Sequence, residues 1–347
     1  MAGGASPDRR SHIRLPRLAS YCFLLSRSGS IGRPGAINLM TKLVLMSRDY
    51  DMLHLVPSIL RAAPELDVVM HDARSSCDAE VAVCWNPPAG ALAALPKLRL
   101  VHSIAAGVDN ILSDPTLPDV PLCRVVDPQH ARGMSEFVTW GVLHYHRQLD
   151  RVLANQSRER WLRHNQRDPS TCSVGIMGLG EIGSRVATDL RRFGFAVRGW
   201  ARQARELAGI ETFAGPQQFK TFLQGTDILI CLLPLTAETR GILNAATFDQ
   251  LPPGAKLIHV GRGDHLVSDD LVTALTTGQL GGAIVDVFPT EPLPPGNASW
   301  RAPNLIVTPH MASVASSSTI GMQVAHNARL LVRGEPLRNV VDVSRGY

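Results

Sequence analysis

The residues best suited to chemistry in this 347-residue chain fall in its second half, each at or just beyond the end of a short apolar run. Residues 173–183 read Ser-Val-Gly-Ile-Met-Gly-Leu-Gly-Glu-Ile-Gly, so Gly178, Gly180 and Gly183 form a GxGxxG between an apolar strand and a helix running to Phe193. In that setting the first glycine makes a tight turn, the second admits a pyrophosphate to the backbone, and the third packs helix on strand. The helix N-terminus offers unpaired N–H groups to the phosphates. The next strand ends in Arg198-Gly-Trp-Ala-Arg202-Gln-Ala-Arg205, with no acid before Glu206. An acid at such a strand end holds the ribose 2′-hydroxyl of NAD, so Arg202, assisted by Arg205, predicts a preference for NADPH over NADH. Three more polar residues follow: Arg262 in His-Val-Gly-Arg-Gly-Asp, Glu291 in Asp-Val-Phe-Pro-Thr-Glu-Pro-Leu-Pro, and His310 in Val-Thr-Pro-His-Met-Ala-Ser. All three belong to strand ends, where open α/β sheets bind their ligands.

The elements that must carry these residues are legible as runs of strand length without period-two alternation, the pattern of strands buried on both faces of a parallel sheet. Leu43–Met46, Val68–Met70, Val81–Trp85, Leu98–Ile104 and Cys123–Val126 form a first group. A helical stretch from about Met134 to Leu162 follows, with a break expected near Asn155. Ser173–Met177, Ala196–Ala201, Asp227–Leu233, Lys256–Val260, Ala283–Val287 and Leu305–Thr308 form a second group of six. A helix over Ser313–Arg333 is expected to cross back to the first group. The reading is α/β with two doubly wound parallel-sheet domains. Residues 41–140 plus 313–347 make a discontinuous, flavodoxin-like substrate domain, and residues 141–312 a Rossmann NAD(P)-binding domain.

The Arg-Gly, Glu-Pro-Leu and Thr-Pro-His motifs, in this order over nearly all of residues 41–347, resemble the D-isomer-specific 2-hydroxyacid dehydrogenases. The resemblance extends to their glyoxylate/hydroxypyruvate reductase A branch through Trp85 with Pro87 and Pro88, the loop Ala105-Ala106-Gly107-Val108-Asp109, Leu293-Pro294-Pro295 with Trp300, and the terminal Arg345-Gly346-Tyr347. It implies reduction of a small 2-oxo acid, in which a hydride reaches the carbonyl carbon and a proton must reach its oxygen. His310 is then the proton donor, Glu291 the carboxylate that favours the charged ring, and Arg262 the fork that binds the substrate carboxylate and carbonyl oxygen. The backbone of Ala106 and Gly107 would hold the carboxylate from the other domain. Trp85 either lines the pocket or packs beneath it, and Asp286 stands behind, near the nicotinamide or Arg262. Leu179, Glu181, Ile182, Leu233, Pro234, Val260 and Gly261 complete the implied cofactor contacts. A homodimer through the nucleotide-binding domain, with 134–162 as an arm, is also implied. A broader 2-oxo acid reductase and a dinucleotide-sensing corepressor remain as alternatives.

Composition narrows the classes further. The net charge of +5 resides in residues 1–40, where six arginines face Asp8 alone; the remaining 29 basic and 29 acidic residues cancel, which gives no basis for a nucleic-acid partner. Residues 1–40 are expected to be a disordered tail or to precede a true start at Met40. No apolar run reaches 18 residues, so no membrane partner is expected. Six cysteines without a CxxC pair point to reduced thiols and a cytoplasmic setting, and His144 and His146, two apart on one helix, cannot share a metal.

Overall fold

The computed structural model describes residues 41–72, 78–127 and 129–343. The expectations for residues 1–40, Cys77 and the terminal Arg345-Gly346-Tyr347 lie outside them. Five strands, β1 (Lys42–Met46), β2 (Asp67–Met70), β3 (Val81–Cys84), β4 (Leu100–Ser103) and β5 (Leu122–Cys123), form one sheet in the order β2-β1-β3-β4-β5. Seven more, β6 (Ser173–Met177), β7 (Ala196–Ala201), β8 (Glu211–Ala214), β9 (Ile228–Cys231), β10 (Ala255–His259), β11 (Leu280–Val285) and β12 (Leu305–Val307), form a second sheet in the order β12-β11-β10-β9-β6-β7-β8. Every pairing in both sheets is parallel. The helices among the described residues are α1 (Val56–Ala62), α2 (Asp109–Leu112), α3 (His130–His146), α4 (Leu149–Gln156), α5 (Glu181–Arg192), α6 (Phe219–Gln224), α7 (Ala245–Phe248), α8 (Ser268–Thr277) and α9 (Ser317–Arg333).

Unbroken apolar runs become strands here because successive side chains enter two different cores. In the first sheet Leu43, Leu45, Val81, Val83 and Leu100 face one layer, while Val44, Met46, Ala82, Cys84 and Val101 face the other. The first layer is closed by α1 and α9 through Ile59, Ile320, Val324 and Ala328. Gly321 allows that crossing, since a Cβ there would stand 2.7 Å from the backbone of Ser58. Thus α9, last in the chain, packs on the first sheet.

Three details differ from the sequence reading. The edge strand β8 was not anticipated; its four residues, Glu-Thr-Phe-Ala, bury only Phe213, so no apolar run marks it. The helical stretch ends at Gln156, beside the expected break near Asn155, but it also breaks earlier at Gln148, which adopts a left-handed backbone (φ 57°) between α3 and α4 while its side-chain amide donates to the Asn165 carbonyl. α3 starts at His130 and lies directly on the second sheet, where a Cβ at Gly141 would be 2.9 Å from Ile258. Residue 140 lies within this helix.

Candidate active site

The crevice beyond β6 lies where the strand order reverses, with β7 on one side and β9 on the other. The three glycines of the β6–α5 turn meet three different constraints. Gly178 has φ +100°, and a Cβ on it would press on the Leu232 carbonyl at 2.8 Å. Gly183 lies so close to that turn that a Cβ would sit 1.8 Å from the Gly178 oxygen. At Gly180, the N-cap of α5, nothing lies within 4 Å of the Cβ position: the space is open beside the unpaired N–H groups of the helix, as a pyrophosphate requires. Leu179 is buried against Gly199, so only its backbone is available to a ligand. Glu181 and Ile182 form the first turn of α5. Leu233 and Pro234 continue β9, and Val260 and Gly261 continue β10 beside them; a Cβ on Gly261 would be 3.4 Å from the Leu233 oxygen. Arg202 and Arg205 are exposed just beyond β7. On the loop after β9, the Glu238 carboxyl is held below its usual range first by a hydrogen bond from Thr236, with a smaller contribution from the charge of Arg202.

β10 delivers Arg262 in an extended conformation at the head of a single 3-10 turn. Gly263 must be glycine, because a Cβ there would be 2.0 Å from the Phe288 oxygen; the turn rests directly on the 288–291 loop. The guanidinium reaches the start of α2, where Nε donates to Asp109 Oδ1 at 2.9 Å, while Nη1 donates to the neighbouring Gly261 carbonyl at 2.8 Å. Nη2 occupies the place a Cβ on Gly107 would need, 2.2 Å away. The backbone N–H groups of Ala106 and Gly107 have no protein acceptor among the described residues. Arg262, carried by the second sheet, therefore lies against this loop of the first.

The loop after β12 presents His310. Its φ of 52° is unusual for a residue with a Cβ, so the turn has to be imposed from outside. Asp286, buried at the end of β11, imposes it: Oδ1 accepts from Thr308 Oγ1 at 2.5 Å and from the Met311 N–H at 2.9 Å, while Oδ2 accepts from the Ala312 N–H at 2.9 Å. The His310 N–H donates to the Asp286 carbonyl at 2.9 Å. Both oxygens of Asp286 are thus spent on shaping the His310 loop. His310 Nδ1 pairs with Glu291 Oε2 at 2.7 Å, and Glu291 Oε1 accepts the Phe288 N–H at 2.9 Å. With Nδ1 committed, Nε2 is the nitrogen left to exchange a proton with a ligand. Trp85, just past β3, sets its ring edge-on to His310 with centroids 5.4 Å apart, and also packs on the core of the first sheet.

Residues 139–312 match the family model for the D-isomer specific 2-hydroxyacid dehydrogenase, NAD binding domain. The chain is 42% identical over 275 residues to glyoxylate/hydroxypyruvate reductase A of Serratia proteamaculans, spanning 78% of this chain and 88% of the relative. The chain belongs to the D-isomer specific 2-hydroxyacid dehydrogenase family. Among solved structures, the family member from Xanthobacter autotrophicus Py2 in complex with NADPH and MES is 38% identical with a TM-score of 0.77, covering 89% of this chain and all of that one. The NADPH-dependent glyoxylate/hydroxypyruvate reductase of Sinorhizobium meliloti, in complex with NADP and sulfate, is 35% identical with a TM-score of 0.78, covering 88% and 100%. Membership makes the chain an oxidoreductase with a dinucleotide-binding sheet, and the strand orders above are those of its two layers.

Sequence reasoning missed two sets of contacts in this dehydrogenase. Asp109, part of the quoted Ala-Ala-Gly-Val-Asp loop, pairs with Arg262 across 153 positions of chain, and no local spacing signals it. His259 and His265 lie three residues either side of Arg262 and both bond its backbone; that symmetric spacing was a usable signal.

Proposed function

We propose that this dehydrogenase reduces glyoxylate and hydroxypyruvate to glycolate and glycerate with NADPH. The observation that carries the reading is the 2.7 Å pair between His310 and Glu291, joined through the 288–291 loop to the turn that holds Arg262. NADPH, when bound, supplies the hydride for the carbonyl carbon. Arg262, permanently charged, binds the carboxylate and carbonyl oxygen of the 2-oxo acid and stabilises the negative charge that develops on that oxygen. The Ala106 and Gly107 amides hold the same carboxylate from the first sheet. Glu291 orients the imidazole, and the Nε2 proton of His310 passes to the alkoxide oxygen, so that hydride and proton together complete the alcohol. Trp85 bounds the pocket on the far side of His310 and favours small acids.

Arg202, with Arg205, receives the 2′-phosphate, which agrees with the absence of an acid at the end of β7 and with the NADPH and NADP complexes of the two relatives. Packing supports residues 41–127 with 313–343 as the substrate-carrying part and 130–312 as the cofactor-carrying part. A homodimer through the α4 region is supported by its apolar exposure: Leu149, Val152 and Leu153 on the helix, then Trp161 at 94% and Leu162. Four buried free thiols fit a reducing, cytoplasmic setting, and no helix among the described residues is long and apolar enough to cross a membrane. The test is direct: purified protein mixed with NADPH and glyoxylate, or hydroxypyruvate, consumes NADPH. Absence of consumption with both acids refutes the reading.

A further inference from the structure

Beneath Arg262 lie two histidines that are fully buried and take no part in the chemistry above. His265 Nδ1 is 3.0 Å from the backbone nitrogen of Arg262, and its Nε2 is 3.2 Å from the Pro234 carbonyl. A backbone N–H can only donate and a carbonyl can only accept, so a single neutral tautomer satisfies both: Nδ1 bare, Nε2 protonated. His259 Nε2 is 3.0 Å from the Arg262 carbonyl and must therefore donate to it. The same carbonyl accepts the His265 N–H at 3.0 Å, so both the N–H and the C=O of Arg262 are held by these two residues. The rings meet edge to face, with centroids 5.8 Å apart. Burial keeps both neutral. It pushes His259 down to about 3, and it lowers His265, whose bond to Pro234 works in the opposite direction while the Arg262 charge adds to the lowering.

One nitrogen of each ring and the Cys231 sulfur lie within 4.8 Å of one another, a grouping that suggests a metal. The bonding argues otherwise. Both nitrogens of His265 are already engaged, and burial pushes the Cys231 thiol up to about 12, far from the thiolate a metal would need.

The geometry points to His265 and His259 as positioning residues: a neutral clamp that fixes the backbone of Arg262 and, through the Pro234 carbonyl, ties the substrate-binding arginine to the cofactor-side loop after β9. The clamp rests on the reading of Arg262 as the substrate's carboxylate ligand. Each ring nitrogen of His265 serves a different side. Nδ1 serves Arg262 and so the 2-oxo acid; Nε2 serves Pro234 and so the dinucleotide.

Two amide substitutions separate these bonds in the full chain. His265→Asn places a carbonyl oxygen where Nδ1 stands and lacks the Nε2 donor; His265→Gln places an amide donor where Nε2 stands and lacks the Nδ1 acceptor. Their KM for glyoxylate at saturating NADPH, and the Kd for NADPH from its fluorescence without substrate, are compared with wild type alongside Tm. The clamp predicts that His265→Gln raises KM about tenfold with Kd within about twofold, and that His265→Asn does the reverse, the scale of one buried hydrogen bond. Proportional changes in both constants for both variants, or a lowered Tm with neither constant changed, would overturn it. If neither variant folds, His259→Gln, which keeps a donor at Nε2, is compared with His259→Leu; equal KM values overturn the clamp. If wild type does not consume NADPH with glyoxylate, the functional reading fails separately, and the NADPH Kd together with oxalate binding to the NADPH complex still decides the clamp.

Discussion

Gly180 and Gly183 stand three residues apart in one turn, yet they should fail in opposite ways when given a methyl group. At Gly180 the backbone is one that alanine adopts readily (φ −70°), and no atom lies within 4 Å of the new Cβ. Less unfolded-state freedom roughly offsets a poorer N-cap, so Gly180→Ala should change stability by no more than about 1 kcal/mol. The same methyl occupies the open space beside the helix N-terminus. Losing one charge-assisted N–H contact to a pyrophosphate costs about 1.5–3 kcal/mol, which is roughly 10- to 150-fold in the Kd for NADPH. At Gly183 the Cβ would lie 1.8 Å from a backbone oxygen, and no flexible side chain can yield. Helix α5 must move off β6, an overpacking cost of about 1–3 kcal/mol that appears as a Tm lower by several degrees. Thermal unfolding and NADPH fluorescence titration on both variants read the two effects. An NADPH affinity unchanged in Gly180→Ala, or a Tm unchanged in Gly183→Ala, would refute this assignment of the turn.

Arg202→Ala should lower kcat/KM with NADPH by at least about tenfold while leaving NADH nearly unaffected, as removal of one phosphate contact implies; equal losses with both cofactors would contradict it. Asp286→Asn places an amide N–H₂ against groups that only donate, or against Thr308, so the His310 turn should loosen: kcat falls with NADPH Kd retained, and a parallel loss of both would point to general damage. His259 and His102 are buried and neutral, with burial pushing them to about 3 and about 4 from a usual 6.5. The unfolded chain takes up those protons below about pH 6.5 and the folded chain does not, so Tm should fall as pH drops from there toward 4. His259→Gln should flatten that slope, and an unchanged slope would exclude His259 as its source.

How much of this could be read beforehand depended on how local each constraint was. The GxGxxG turn was legible because every contact that demands glycine is made within the β6–α5 unit or with the adjacent strand end, and the two-sheet architecture because both faces of each strand are buried, leaving unbroken Val, Ile and Leu runs. His310 and Glu291 were placed by motif, and their pairing follows from two neighbouring strand ends, β11 and β12. β8 escaped because an edge strand that buries one side chain has no apolar run. The end of α3 escaped because a glutamine, not glycine or asparagine, takes the left-handed position. Asp109 meets Arg262 only after the two sheets come together, so nothing near either residue in sequence announces the pair.

The claim that His310 donates the proton, supported by Glu291, is tested most directly by glyoxylate reduction in His310→Ala with NADPH affinity measured in parallel. The account predicts that kcat/KM falls by about 10²- to 10⁴-fold, the range for loss of a general acid, while the Kd for NADPH stays within about threefold. Glyoxylate reduction retained to within tenfold in that variant would contradict it.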